Sequence, residues 1–111
     1  MPLRIGIDLV HIPRIRELLS NQTALKRIYS PQELMNRDPA HLAGLLAVKE
    51  SIFKAMGIAP SWKDIEVRSL PNGKPCAIPS GKCKGVEIID VSISHDGDYA
   101  VAMALIEEGR G

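Results

Sequence analysis

Leu42-Ala43-Gly44-Leu45-Leu46-Ala47-Val48-Lys49-Glu50-Ser51-Ile52-Phe53-Lys54-Ala55-Met56-Gly57 is the stretch on which the fold turns. It is mostly apolar, holds no proline and ends on a glycine. Wound as a helix at about 100° per residue, it gathers Leu42, Leu45, Leu46, Val48, Ile52, Phe53 and Met56 into one wide apolar arc. Lys49 falls inside that arc. A lysine there either lays its stem along apolar neighbours or meets a buried anion, so an internal ion pair and a subunit contact are both open. Glu50 and Lys54 sit together at the edge of the arc, beside Ala43 and Ala47, where small side chains let something approach closely. One reading makes them an i,i+4 surface pair, which stabilises a helix by roughly 0.2–0.5 kcal/mol. The other makes them groups that face a ligand.

Working outward, Asp38-Pro39 supplies an N-cap and a first-turn proline for this helix, and Gly57 supplies its C-terminal stop. Upstream, Ser30-Pro31-Gln32-Glu33 has the same start grammar and predicts a short helix ending near Arg37. Ile12-Pro13 predicts another, with Ile15, Leu18 and Leu19 on its apolar side. Asn21 to Thr23 interrupts it, and Ala24 to Tyr29 adds a turn or two. Before them, Leu3 to Val10 alternates as a strand, with Leu3, Ile5, Ile7 and Leu9 on one face and Arg4, Gly6, Asp8 and Val10 on the other. Asp is depleted in strands. Asp8 is therefore either a solvent-facing edge residue, a cap for the next helix or a ligand, and Gly6 clears space beside it.

After Gly57 the pattern changes to strands. Pro60-Ser61-Trp62 reads as a loop and Ile65 to Leu70 as a strand. Pro71 to Pro75 is a strong turn, and Cys76 to Ile78 is the returning strand. Glu87 to Ser94 is a further strand, with Ile89, Val91 and Ile93 opposite Ser92 and Ser94. His95 to Asp98 turns the chain. Tyr99 to Ile106 returns with both faces apolar, as a buried strand does. Glu107 to Gly111 is expected to fray. The whole is a single α+β domain over residues 1–111, a long helix packed on an antiparallel sheet.

Composition bounds the function. The 45% hydrophobic content supports a modest core, and the 4% aromatic content makes that core aliphatic. A core of this size is marginal alone, which favours burial of more surface in an oligomer. With 14 basic and 13 acidic residues the net charge is +1, which argues against wholesale nucleic-acid binding. Yet Arg14, Arg16, Lys26 and Arg27 face only Glu17 in their region, a local basic patch suited to an acidic partner or simply to water. Arg4 and Asp8 interrupt any signal-like apolar run, and no stretch approaches the roughly 20 apolar residues of a membrane span. Cys76 and Cys83 lack a nearby histidine pair, so they make no zinc site. The chain reads as cytoplasmic, with reduced thiols.

Three places carry potential chemistry: Asp8, Glu50 with Lys54, and Ser92-Ile93-Ser94-His95 at a strand end. Magnesium takes few carboxylates and completes its shell with water and phosphate oxygens. Two carboxylates from separate elements, with a lysine one helical turn away, suit a metal-held phosphate whose developing charge the lysine offsets. His95 is either a structural turn residue or a hydrogen-bond and acid–base group.

Gly6-Ile7-Asp8, Lys49-Glu50-Ser51-Ile52-Phe53-Lys54-Ala55, Gly73-Lys74-Pro75 and Ser92-Ile93-Ser94-His95 occur in the order and rough spacing of the phosphopantetheinyl transferases. The short chain and its IGIDLV opening resemble the small holo-[acyl-carrier-protein] synthase type, from Leu3 to about Ile106. The resemblance implies a phosphopantetheinyl transferase-like fold, cytoplasmic and serving fatty acid biosynthesis. It implies transfer of the 4′-phosphopantetheine arm of coenzyme A to a serine of apo acyl carrier protein, leaving adenosine 3′,5′-bisphosphate. By resemblance, Asp8 and Glu50 hold magnesium on the pyrophosphate and Lys54 contacts the phosphates, so that Asp8, Glu50 and Lys54 are the catalytic set. Gly73, Lys74 and Pro75 contact the adenosine part, and Ser94 and His95 lie near the nucleotide. Arg14 belongs to a basic helix that docks the carrier protein. It further implies a homotrimer with each site between two neighbours, Asp8 and Glu50 coming from one subunit and the Lys74 turn from the next. The chain departs from the family pattern at Leu45, where an arginine is usual and is a candidate phosphate contact, and at Leu46, where an aromatic is usual. A coenzyme A- or carrier-binding module without catalysis is the alternative that Leu45 favours.

Overall fold

The computed structural model describes residues 2–107, and the fraying expected of Glu108 to Gly111 lies outside them. The chain runs β1 (Leu3–His11), α1 (Ile12–Leu18), α2 (Gln22–Ile28), α3 (Pro39–Met56), β2 (Ile65–Ser69), β3 (Pro75–Pro79), β4 (Glu87–Asp96) and β5 (Tyr99–Glu107). Short 3-10 turns lie at Glu33–Met35, Trp62–Asp64 and Gly81–Cys83. The architecture is α+β. One antiparallel sheet has the order β1-β5-β4, and β2-β3 forms a separate hairpin. The long helix α3 packs on β1 and β5 and also touches β2, while β3 of the hairpin packs against β4.

The helix ends fall where their chemistry puts them. Asp38 accepts a hydrogen bond from the His41 backbone N–H at 3.1 Å, Pro39 opens the first turn, and Gly57 closes α3 in the left-handed region at φ 77°. Asn21 caps α2 through the Ala24 N–H. The Ser30–Glu33 capping box forms: the Glu33 carboxylate accepts from the Ser30 N–H at 2.8 Å, and the Ser30 hydroxyl accepts from the Glu33 N–H at 3.2 Å. The helix expected after it shrinks to the 3-10 turn Glu33–Met35, because Glu33 is also engaged by residues from outside the segment.

That engagement accounts for Lys49. Its ammonium lies 2.8 Å from Glu33 Oε1, donates to the Ile28 carbonyl at 2.6 Å, and sits 5.5 Å from the centre of the Tyr29 ring. Glu33 Oε2 accepts from the Val67 N–H at 2.8 Å. Both charges are wholly buried. The open choice at Lys49 resolves to an internal ion pair tying α3, the 3-10 turn and the hairpin together. Burial pushes the Lys49 ammonium below the usual lysine range, and Glu33 opposes that shift.

The sheet face that meets α3 is made of small residues. Ala100, Ala102 and Ala104 of β5 are buried, and register aligns them with Val10, Asp8 and Gly6 of β1. A Cβ on Gly6 would fall on the carbonyl oxygen of Ser51 and against the Ala55 nitrogen, so strand and helix meet main chain to main chain. Farther along, Gly44 receives Ile93 and His95 of β4. The small residues of α3 thus admit the protein's own sheet. The larger arc residues Leu42, Leu45, Val48 and Ile52 complete the core with Leu25, Tyr29 and Ile65.

The alternation in β1 holds, but its larger apolar face points outward. Leu3, Ile5, Ile7 and Leu9 are 56–64% exposed. Register places Val101, Met103 and Leu105 of β5 beside Leu9, Ile7 and Ile5 on the same outer face. β4 continues past Ser94 to Asp96, so His95 is a strand residue, and only Gly97 and Asp98 turn the chain. Glu107, expected to fray, pairs with both Leu3 and Glu87.

Candidate active site

Strand β1 and the C-terminal half of α3 bring the carboxylate of Asp8 to the ammonium of Lys54 at 2.9 Å. Lys54 also donates to the Ile7 carbonyl at 3.2 Å. Asp8 is 15% exposed and Lys54 58%, so the pair lies at the rim of the molecule. The Gly6–Ser51 contact sets this distance, since no side chain separates the two elements there. The i,i+4 pair of Glu50 with Lys54 does not form. Lys54 turns to Asp8, while Glu50 Oε1 accepts a hydrogen bond from the Trp62 indole at 2.6 Å.

Asp8 and Glu50 line one cleft of about 360 Å³. Arg14 and Trp62 share its wall, and Leu9, Val10, Ile15, Leu18, Ile28 and Leu46 make the rest apolar. Lys54 borders a second cleft of about 430 Å³ together with Arg4, Met56 and Ile106. Two carboxylates at a water-accessible mouth form a donor set that suits magnesium, a hard cation served by oxygen. Among the described residues no three His, Cys, Asp or Glu side chains gather to hold a metal, so a cation here would draw its remaining ligands from water and phosphate.

The other expected contacts lie elsewhere on the chain. His95 Nε2 is 2.9 Å from the Ala40 carbonyl, at the opposite end of α3 from Lys54, about 21 Å along the helix at 1.5 Å per residue. Ser94 and His95 face opposite ways: alternation sends Ser94 to the outer sheet face and His95 to the inner one. In the turn after β2, Gly73 adopts φ 86° and Lys74 is held on β4, 2.8 Å from Asp90 and 3.2 Å from the Val91 carbonyl. The Lys74 ammonium pulls the Asp90 carboxyl below the usual carboxylate range. Pro75 opens β3 beside it.

Residues 4–104 match the 4′-phosphopantetheinyl transferase superfamily. The chain belongs to that superfamily. Within it, the chain is 35% identical to the holo-[acyl-carrier-protein] synthase of Verminephrobacter eiseniae, over 94% of this chain and 92% of the relative. It is 38% identical to that of a Geobacillus species, over 96% and 98%. Among solved superfamily structures, the Chronobacterium ammoniagenes ACPS–CoA complex superposes with TM-score 0.83 at 31% identity, covering 99% of this chain and 100% of that one. The Helicobacter pylori holo-[acyl-carrier-protein] synthase in complex with coenzyme A gives 0.85 at 29% identity, covering 93% and 99%.

The two departures from the superfamily pattern separate in the structure. Leu45 is buried in the core and lines neither cleft described above, whereas Leu46 lines the carboxylate cleft. Sequence reasoning missed two participants. Glu33 was legible as a capping residue but not as the partner of Lys49. Trp62 read only as loop, although the sole tryptophan in a chain so poor in aromatics is itself a signal.

Proposed function

We propose that this chain is a magnesium-dependent holo-[acyl-carrier-protein] synthase. It transfers the 4′-phosphopantetheine arm of coenzyme A to a serine of apo acyl carrier protein and releases adenosine 3′,5′-bisphosphate. The observation that carries the reading is the convergence of Asp8, Glu50 and Lys54 at one rim, in a chain that matches holo-[acyl-carrier-protein] synthases over nearly its whole length.

Asp8 and Glu50 are the two protein ligands for magnesium, which when bound screens the charge of the pyrophosphate. The carrier serine hydroxyl attacks the β-phosphorus and gives up its proton to water or a nearby base, while the bond from that phosphorus to the oxygen of the adenosine-bearing phosphate breaks and adenosine 3′,5′-bisphosphate leaves. Lys54 offsets the charge on the departing phosphate. Its side chain is more than half exposed, so it moves from Asp8 to a phosphate at little desolvation cost. Arg14 stands at the cleft mouth and opens the basic patch toward an acidic carrier protein. Holding the two substrates in line supplies much of the rate.

In one chain His95 reaches the opposite end of α3 from Lys54, and Lys74 is held on β4 by Asp90 and the Val91 carbonyl. A homotrimer reconciles these positions with one site, one subunit giving Asp8, Glu50 and Lys54 and its neighbour giving Gly73, Lys74, Pro75, Ser94 and His95. The exposed apolar face of β1 and β5 supports that assembly, being a surface of the kind that marks protein contacts. We place the protein in the cytoplasm, in fatty acid biosynthesis. Both cysteines are free, and among the described residues no helix is long and apolar enough to cross a membrane.

The test is to incubate the chain with coenzyme A, magnesium and an apo acyl carrier protein and weigh the carrier. The expected result is a gain of one phosphopantetheine arm, lost in Glu50→Gln with circular dichroism unchanged. An unmodified carrier at high enzyme concentration would overturn the proposal.

A further inference from the structure

Trp62 is not among the groups that the transfer reaction assigns a task, yet it makes the only hydrogen bond found for the Glu50 side chain among the described residues. We propose that Trp62 is a positioning residue, whose indole N–H holds the Glu50 carboxylate in the orientation that receives the cation. The inference rests on the transferase reading above.

The argument begins with what holds the tryptophan. After Gly57 the chain doubles back, and Trp62 opens a 3-10 turn. Ser61 starts that turn, its carbonyl accepting from the Asp64 N–H at 2.9 Å. The far end is pinned to the hairpin, the Ser80 N–H donating to the Asp64 carbonyl at 2.8 Å. Asp64 also packs where any side chain on Gly81 would stand. Ile65, the next residue, is fully buried. The indole therefore projects from a fixed turn, not from a free loop.

Its chemistry suits the task. The indole N–H donates and cannot accept, so it never competes with the carboxylate for a cation. At 2.6 Å from Oε1 it fixes that oxygen and leaves Oε2 free. A glutamate side chain otherwise rotates freely about its outer bonds, and ordering it on binding costs entropy. Partners that orient a ligating carboxylate commonly contribute about 10- to 100-fold in metal affinity. Because Trp62 is 36% exposed and lines the same cleft as Asp8, it is also placed to report events there.

Trp62 is the only tryptophan, so its emission is a direct readout. Magnesium added to the full chain with coenzyme A should shift that emission over the concentrations that support transfer, and Glu50→Gln should abolish the response. In Trp62→Phe, magnesium binding followed by calorimetry with coenzyme A present should weaken about 10-fold or more. Turnover should recover at high magnesium, and Trp62→His, which restores a ring N–H, should show a smaller loss. A purely structural tryptophan would lower the melting temperature without moving the magnesium dependence. Unchanged magnesium affinity in Trp62→Phe, or an emission that ignores magnesium in the wild-type chain, would overturn the assignment. Failure of the wild-type chain to modify any carrier would overturn the transferase reading instead, and is scored separately by the carrier's mass.

Discussion

Lys49 and Glu50 are neighbours in sequence with opposite fates. Lys49 is sealed in the core with Glu33, while Glu50 stands at the cleft with Trp62. A buried pair gives little net stability, but losing one partner strands the other charge. Lys49→Met should therefore lower unfolding stability in urea by about 3–5 kcal/mol. The double variant Lys49→Met with Glu33→Gln should lose less than the two single losses combined, since no charge is left unpaired. Tyr29 offers a test by pH. Its hydroxyl donates to the Leu42 carbonyl at 2.7 Å, and burial first, with Glu33 second, raises it well above the ordinary value of 10.0. A group raised on folding adds stability below its unfolded value and loses it as pH rises above that value. Melting temperature should thus fall more steeply as pH rises above about 10 in the wild-type chain than in Tyr29→Phe.

Among the elements, helix α3 was the most legible, because its start, its stop and its apolar arc are all written locally at Asp38-Pro39, Gly57 and the leucines between. The Ser30–Glu33 box was legible too, but not the length of what followed, since Glu33 answers to Lys49 and Val67 from distant segments. For β1, alternation reveals two faces without saying which one turns inward. The answer depends on α3: its main chain approaches so closely that only Gly6 fits opposite Ser51, and the larger residues of β1 are left outside. Asp8 lies on the inward face for the same reason, which is how an acid in a strand reaches a lysine on a helix. Gly6→Ala should push the two elements apart. We expect destabilisation at the upper end of about 1–3 kcal/mol, checked by denaturant unfolding. Transfer activity should fall by more than the folded fraction does, because Asp8 and Lys54 separate.

For the molecule as a whole, the sequence indicated α+β layering and the four signature segments, but not the distance between them. His95 and Lys54 lie toward opposite ends of α3, and Ser94 and His95 lie on opposite sheet faces. Nothing local encodes that separation. It also bears on assembly, because a site drawn from two copies needs a surface that joins them. Ile7→Asp, on the outer face, should convert the proposed trimer to monomers in light scattering while leaving helix content intact. Carrier modification should be lost with the assembly. A monomeric wild-type chain with full activity would contradict the shared site.

The main-chain contact between Gly6 and Ser51 has a kinetic corollary for amide hydrogens. Solvent cannot reach the amides of α3 near Ser51 and Ala55 by loosening a side chain, because no side chain stands between helix and strand. Exchange with deuterium at those positions requires the helix to leave the sheet, so it should proceed only through global unfolding, while the 3-10 turn carrying Trp62 exchanges sooner. The protein would then hold Glu50 and Lys54 on its slowest-opening segment and orient Glu50 from a faster one.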